Sequence, residues 1–210
     1  MYRPRYFRED DPHVLHALMQ RYSFATLFSQ ADGVPWATPL PFMLDATRGP
    51  HGTLMAHMAR ANPHWKTFRA DTQVLVVFQG PHAYISPSWY REQKAVPTWN
   101  YVAVQARGIP ALIEDPDRLR KMVLDLVTVH EAEARSSWDP ALAEPRMGTN
   151  LKAIVGFEIR ITHLEGKHKL NQNRSAADQQ GVVEALQQSS DSGERDVAAL
   201  MRENLSRNAG

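Results

Sequence analysis

The chain has 210 residues, a formal net charge of +1 and 43% hydrophobic residues. This bounds it to one generous domain or a domain with an appendage, with no strong overall pull toward nucleic acid or an anionic membrane. It has no cysteine, which excludes disulfides, thiolate metal sites and cysteine nucleophiles; with no leader-like opening and no apolar run of spanning length, the expectation is a cytoplasmic protein with no membrane partner.

Tyr2 to Phe7 is a short aromatic arm. Asp11 and Pro12 read as an N-cap and first helical residue. Val14, Leu15, Leu18, Met19 and Tyr22 follow at helical spacing and predict a helix over 12–21 with one buried face. Residues 23–29 predict a strand, Asp32-Gly33 a turn, and residues 36–44 the return strand. Pro39 and Pro41 place that strand at a sheet edge or a bulge.

After a loop over 45–52, residues 53–58 predict a strand that runs into ARANPHWK. There Asn62 reads as a cap and Pro63 as the first residue of a helix. Arg60 stands just before this start and Lys66 lies in its first turn. Unpaired amides and the helix dipole favour an anion at such a place, phosphate above all. Arg60 would act as a fork and Lys66 as a point charge. The plainer reading is a capped helix with two solvated basic residues, and from the residues alone it is the commoner case.

Residues 74–78, VLVVF, do not alternate, so this strand should be covered on both faces, by a helix or by a second subunit. GPHAYISPSWYREQKAVPTWNY, residues 80–101, reads as a rigid connection between two strands. Tyr84, Trp89, Tyr90, Trp99 and Tyr101 offer flat walls, and Ser86, Ser88, Thr98 and Asn100 offer short polar groups between them. A flat apolar ligand with a polar edge suits that surface; simple core or subunit packing suits it equally well.

Strands are expected over 83–86, 99–107 and 109–114. Asp115-Pro116 caps a helix whose stripe is Leu119, Met122, Val123, Leu126, Val127 and His130. A loop is expected over 136–149. Residues 154–161 predict a strand with Val155, Phe157, Ile159 and Ile161 on one face. GKHKLNQNR is a basic, amide-rich segment. Helices are expected over 175–188 and 195–205, with a break between them. The sum is an α+β, mainly antiparallel β fold, a barrel with peripheral helices.

Several chemistries have no motif here. There is no Gly-x-Gly, no Walker A, no HExxH and no Gly-x-Ser-x-Gly. The nine histidines do not fall at tight ligand spacing, so no metal site and no catalytic residue is assigned.

ARANPHW, GPHAYISPSWY, VPTWNY, IVGFEI and GKHKLNQNR, in that order, resemble the motifs of the PaiB-like family of FMN-binding negative transcriptional regulators. The resemblance runs from Met1 to about Leu186; Asn171 stands where the family pattern is expected to have a serine. The family is similar to the FMN-binding split barrels related to pyridoxamine-phosphate oxidase, which are homodimers with FMN between subunits. The resemblance therefore implies an FMN-binding split β-barrel with peripheral helices, FMN as cofactor and a homodimer. It implies a phosphate and pyrimidine-edge site at His57, Met58, Ala59, Arg60, Asn62 and Lys66, and a slot lined by Thr98, Trp99 and Asn100. Residues 1–165 would form the FMN-binding domain, with 166–210 packing on it. DNA is a partner by the family label only, since no convincing DNA-reading element is visible. Two alternatives stand beside the regulator: an FMN-dependent oxidoreductase, whose chemistry the flavin carries, and a haem-binding split barrel with His57, His64 or His168 as axial ligand.

Overall fold

The computed structural model describes residues 1–92, 95–134 and 137–208. In chain order the elements are β1 (Arg8–Glu9), α1 (Pro12–Arg21), β2 (Phe24–Ala31), β3 (Val34–Pro41), β4 (Met43–Asp45), β5 (Thr53–Ala59), β6 (Val74–Ile85), β7 (Thr98–Leu112), α2 (Pro116–Glu133), α3 (Glu144–Lys152), β8 (Ile154–Lys169), α4 (Ala176–Gln187) and α5 (Ser192–Asn208). The eight strands form one sheet in the order β3-β2-β6-β7-β8-β5-β4, with β1 paired to β8. The β1–β8, β2–β3, β2–β6, β4–β5 and β5–β8 pairings are all antiparallel.

Two compact units make up the chain. One holds residues 19–77 and 106–164, the other 1–18, 78–105 and 165–210.

In the first unit β2 and β3 form a two-residue hairpin, with Ala31 opposite Val34. Asp32 and Gly33 take φ of 52° and 77°, the left-handed pair that matches the twist of the flanking strands. β3 ends the sheet order. Pro35, Pro39 and Pro41 share one parity, so their missing N–H groups all fall on one side of the strand, and at an edge no ladder bond is lost. Leu27, Val76, Phe157, Ile159 and Ile161 are fully buried. A second cluster joins Ile113, Leu119 and Met122 to Met55, Val123, Leu151 and Ile154. Asp115 caps α2, its carboxylate accepting from the Asp117 amide at 2.9 Å.

The run VLVVF is asymmetric. Val74, Val76 and Phe78 are buried, whereas Leu75 and Val77 are only half-buried. On the same face as Leu75 and Val77, β2 presents Phe24 and Phe28, 68% and 37% exposed. Cross-strand pairs Phe28–Leu75 and Thr26–Val77 bring these side chains together.

In the other unit Leu15, Leu170, Val182, Val183, Leu186, Val197, Ala198 and Met201 are buried. Ser175 caps α4 by accepting from the Asp178 amide at 3.2 Å. Asp178 in turn accepts from the Arg91 amide at 2.8 Å, tying the 86–97 loop to α4.

Two expectations need correction. Residues 80–85 belong to β6 and 98–101 to β7, so only 86–97 is a connection, of which residues 93 and 94 lie outside the described set. The loop expected over 136–149 contains most of α3; Pro145 is the second residue of that helix, where its missing N–H costs nothing, and residue 136 lies outside the described set. Residues 166–169 of the basic segment close β8.

Candidate functional site

β5 alternates. Ala56 and Met58 are buried in the core, while His57 and Ala59 take the opposite face. His57 lines an apolar cavity of about 190 Å³ with Val123, Val127, Met147 and Ile154. Its Nδ1 is buried without a hydrogen-bond partner among the described residues. Burial holds the imidazole below its ordinary pKa, so the ring is kept neutral.

Arg60 follows the end of the strand. Its amide donates to the Ala153 carbonyl at 2.8 Å. Nε donates to the Lys152 carbonyl and Nη2 to the Ile154 carbonyl, both at 2.8 Å. The guanidinium is thus locked in place by two of its five donors, and Nη1 stays available to an acceptor. The Arg60 carbonyl accepts from Trp65 Nε1 at 3.1 Å, and Lys66 Nζ lies 5.7 Å from the centre of that indole ring. Arg60, Trp65 and Lys152 line a cavity of about 570 Å³ whose other walls include Leu112, Leu119 and Val155. A cavity of this size, mostly aliphatic with Arg60, Lys152 and one acid, Glu114, in its lining, suits a flat ligand that carries an anionic group.

The helix expected after Asn62 is a five-residue 3-10 turn, Pro63–Thr67. Asn62 does cap it, accepting from the His64 amide at 3.0 Å. A single short turn adds no useful macrodipole, because that effect sums over aligned peptides. The helix-terminus argument for phosphate therefore falls, and the side-chain cations remain. The turn stops because its side chains are drawn inward. His64 is fully buried, 2.8 Å from Ser29 Oγ through Nε2 and 2.7 Å from Thr38 Oγ1 through Nδ1. Phe68 packs edge-on against Phe157, with ring centres 5.2 Å apart. Asn62 Nδ2 also donates to Thr38 Oγ1, at 3.4 Å.

The second expected segment lies in the other unit. Trp99 is 53% exposed and stands edge-on to Tyr84 at 5.9 Å. Lys169 Nζ donates to the Thr98 hydroxyl and to the Trp99 carbonyl. Burial and the neighbouring Lys167 lower the Lys169 pKa. Asn100 points the other way. It is fully buried, its Nδ2 directed at Met201 Sδ at 3.4 Å, and its Oδ1 has no partner.

Sequence reasoning missed Lys152 and Thr38. A lysine before an apolar strand and a threonine in a proline-rich edge strand carry no signal of their own; only pairing of β5 with β8 and docking of the turn on β3 bring them to this corner.

Residues 1–163 match the family model described as "Putative FMN-binding domain". The chain belongs to this FMN-binding-domain family. It is also 37% identical over 207 residues to the "Protease synthase and sporulation protein PAI 2" of Bacillus subtilis, covering 98% of each chain. An uncharacterized protein of Emericella nidulans is 31% identical over 202 residues, covering 78% of this chain and 80% of that one. Among solved structures, the flavocytochrome Anf3 of Azotobacter vinelandii superposes with a TM-score of 0.59 at 16% identity, covering 80% of this chain and 72% of its own. An FAD- and haem-binding protein of Mycobacterium smegmatis gives 0.59 at 17% identity, covering 82% and 78%. At that identity the two structures speak for the fold only. The PaiB-like resemblance and the flavin-binding split-barrel fold read from the sequence both stand. No helix among the described residues is long and apolar enough to cross a membrane.

Proposed function

We propose that this member of the FMN-binding-domain family is a cytoplasmic homodimer that binds FMN and acts as a PaiB-like transcriptional regulator, with DNA as its partner. The observation that carries the flavin placement is the locked guanidinium of Arg60 at the mouth of a largely apolar cavity. Arg60 and Lys152 would hold the phosphate, with Lys66 beside them as a mobile third charge. Asn62 and the face of His57 and Ala59 would meet the polar parts of the ligand, with Met58 serving from beneath as core. Thr98 and Trp99 are assigned to the ring-facing wall supplied by the second copy; Asn100 supports that strand from inside. When bound, FMN supplies reversible one- and two-electron chemistry.

The donor set fits the group. FMN brings a dianion, and the corner brings cations with few anions to offset them. It also brings a broad apolar ring, and the cavity wall is built from aliphatic side chains. The test is the absorbance spectrum of the isolated protein, followed by titration with FMN in a dilute, flavin-free preparation. A preparation that neither carries nor takes up FMN would sink the reading. For regulation, the protein is tested on promoter fragments at low salt, with and without FMN; no shift under either condition would remove DNA from its partners.

A further inference from the structure

We propose that a polar cavity between β1, the end of β8 and α5 binds a small carboxylate with a hydrogen-bond donor on the neighbouring atom, as α-hydroxy and α-amino acids have. The cavity has a volume of about 410 Å³ and is lined by Arg8, Glu9, His168, Gln172, Asn204 and Arg207. It shares no residue with the Arg60 corner and does not depend on the flavin reading.

Two side chains that line it carry an unmet polar atom. His168 is 4% exposed, and its Nε2 is buried without a partner. Asn204 Nδ2 is likewise buried without a partner among the described residues. An unmet buried polar atom is costly, and two on side chains that line one polar cavity mark a place for a group that meets both.

The chemistry of each atom decides what that group is. His168 Nδ1 lies 3.8 Å from Glu9 Oε2. Burial lowers the pKa of this imidazole; Glu9 opposes that effect and Arg207 adds to it. A neutral ring keeps its one proton on the nitrogen nearer the carboxylate, so Nδ1 carries it and Nε2 presents a lone pair. Nε2 therefore accepts, and the ligand must donate to it. Asn204 Nδ2 donates, and the ligand must accept from it. The lining carries two cations, Arg8 and Arg207, and one half-buried anion, Glu9, whose Oε2 is 3.5 Å from Arg207 Nη1; Arg8 Nε also meets Asp10 Oδ2, outside the lining, at 3.7 Å. The guanidinium N–H groups that these pairs leave over suit a carboxylate at the Asn204–Arg207 side. Gln172 is held in its own turn, its amide donating to the His168 carbonyl at 2.7 Å and accepting from the Leu170 amide at 2.8 Å.

The experiment is titration of the full-length protein with glycolate, glycine and acetate at millimolar concentration, followed by the imidazole 1H–15N signals of His168. Glycolate or glycine should move the His168 Nε2 resonance and bind about tenfold or more tightly than acetate. A preference for glycolate assigns the donor as a hydroxyl, and a preference for glycine assigns it as an amine. Asn204→Leu and Arg207→Gln should each weaken binding about tenfold or more. Arg207→Gln lies at an exposed helix end and leaves the core intact. Equal binding of acetate, unchanged affinity in Arg207→Gln, or no movement of the His168 signal with any of the three would overturn the assignment.

Discussion

The hydroxyl of Thr38 donates to Nδ1 of His64 across 2.7 Å. The direction follows from the chain of bonds behind the ring. Thr67 Oγ1 spends its proton on the His64 carbonyl at 2.7 Å, so it must accept from Ser29 Oγ, 2.7 Å away. Ser29 then has no proton for His64 and must accept from Nε2. His64 is consequently the Nε2–H tautomer, and its Nδ1 lone pair takes the Thr38 proton. Thr38 meanwhile accepts from Asn62. Every member is satisfied in one proton arrangement, and this network seats the turn on β3.

Adding a proton to Nδ1 would set it against the Thr38 hydroxyl proton. Burial independently lowers the pKa of His57, His64 and His168. For a base, a folded value below the ordinary one of about 6.5 means the unfolded chain binds protons first on acidification. Stability is therefore full above that value and falls as the pH drops through the depressed folded values. The urea midpoint should be lower at pH 5 than at pH 8; a midpoint that rises on acidification contradicts this.

His64→Ala removes the ring at the centre of the network and leaves Ser29, Thr38 and a cavity behind. The expected loss is about 2–4 kcal/mol, measured by urea unfolding at neutral pH. The acid sensitivity of the variant should also shrink. A loss below about 0.5 kcal/mol would show that the turn is held by other contacts.

Gly181 lies inside α4, where replacement by alanine ordinarily stabilises a helix by about 1 kcal/mol. Here a Cβ would run into the carbonyl oxygen of Trp89. Backbone cannot step aside as a flexible side chain can, so Gly181→Ala should lower the melting temperature. A neutral or raised value would mean that α4 and the turn after β6 separate easily.

For the flavin, Arg60→Ala should weaken FMN binding by about 1.5–3 kcal/mol, the range of a charge-assisted contact. Lys152→Ala should do likewise and Lys66→Ala less, because Lys66 is exposed and rests on Trp65. Quenching of FMN fluorescence measures all three. Wild-type affinity in both Arg60→Ala and Lys152→Ala would move the phosphate elsewhere.

The half-covered face of β2 and β6 bears on the dimer. Phe24, Phe28, Leu75 and Val77 share one face of neighbouring strands, with Thr26 between the two phenylalanines, and exposed apolar faces of this kind are often contact surfaces. Phe24→Glu with Phe28→Glu should convert the protein to a monomer in sedimentation velocity without lowering its helical and strand content. A double variant that sediments as wild type would place the subunit contact on another face.

Asn171 shows how local and global requirements meet. It has φ of 64°, a region where asparagine is at ease and serine less so, and its Nδ2 donates to the Tyr90 hydroxyl at 3.0 Å. The departure from the family's expected serine thus sits at a position whose backbone welcomes it.

Periodicity, caps and turn residues are local signals, and they located α1, the Asp32-Gly33 hairpin, the edge position of β3, the start of α2 and the buried face of β8. The motif strings carried the family and the cofactor. What they could not carry was distance. Whether Asn62 opens a helix or one short turn depended on Ser29 and Thr38 capturing His64, residues 35 and 26 positions away. Lys152 joined Arg60 only because β8 pairs with β5. Asn100 faced inward because α5 waits behind it. A sequence shows which groups are present and how each stretch prefers to fold; long-range pairing decides which of those groups meet, because the energy that selects their neighbours comes from contacts the chain makes only once folded.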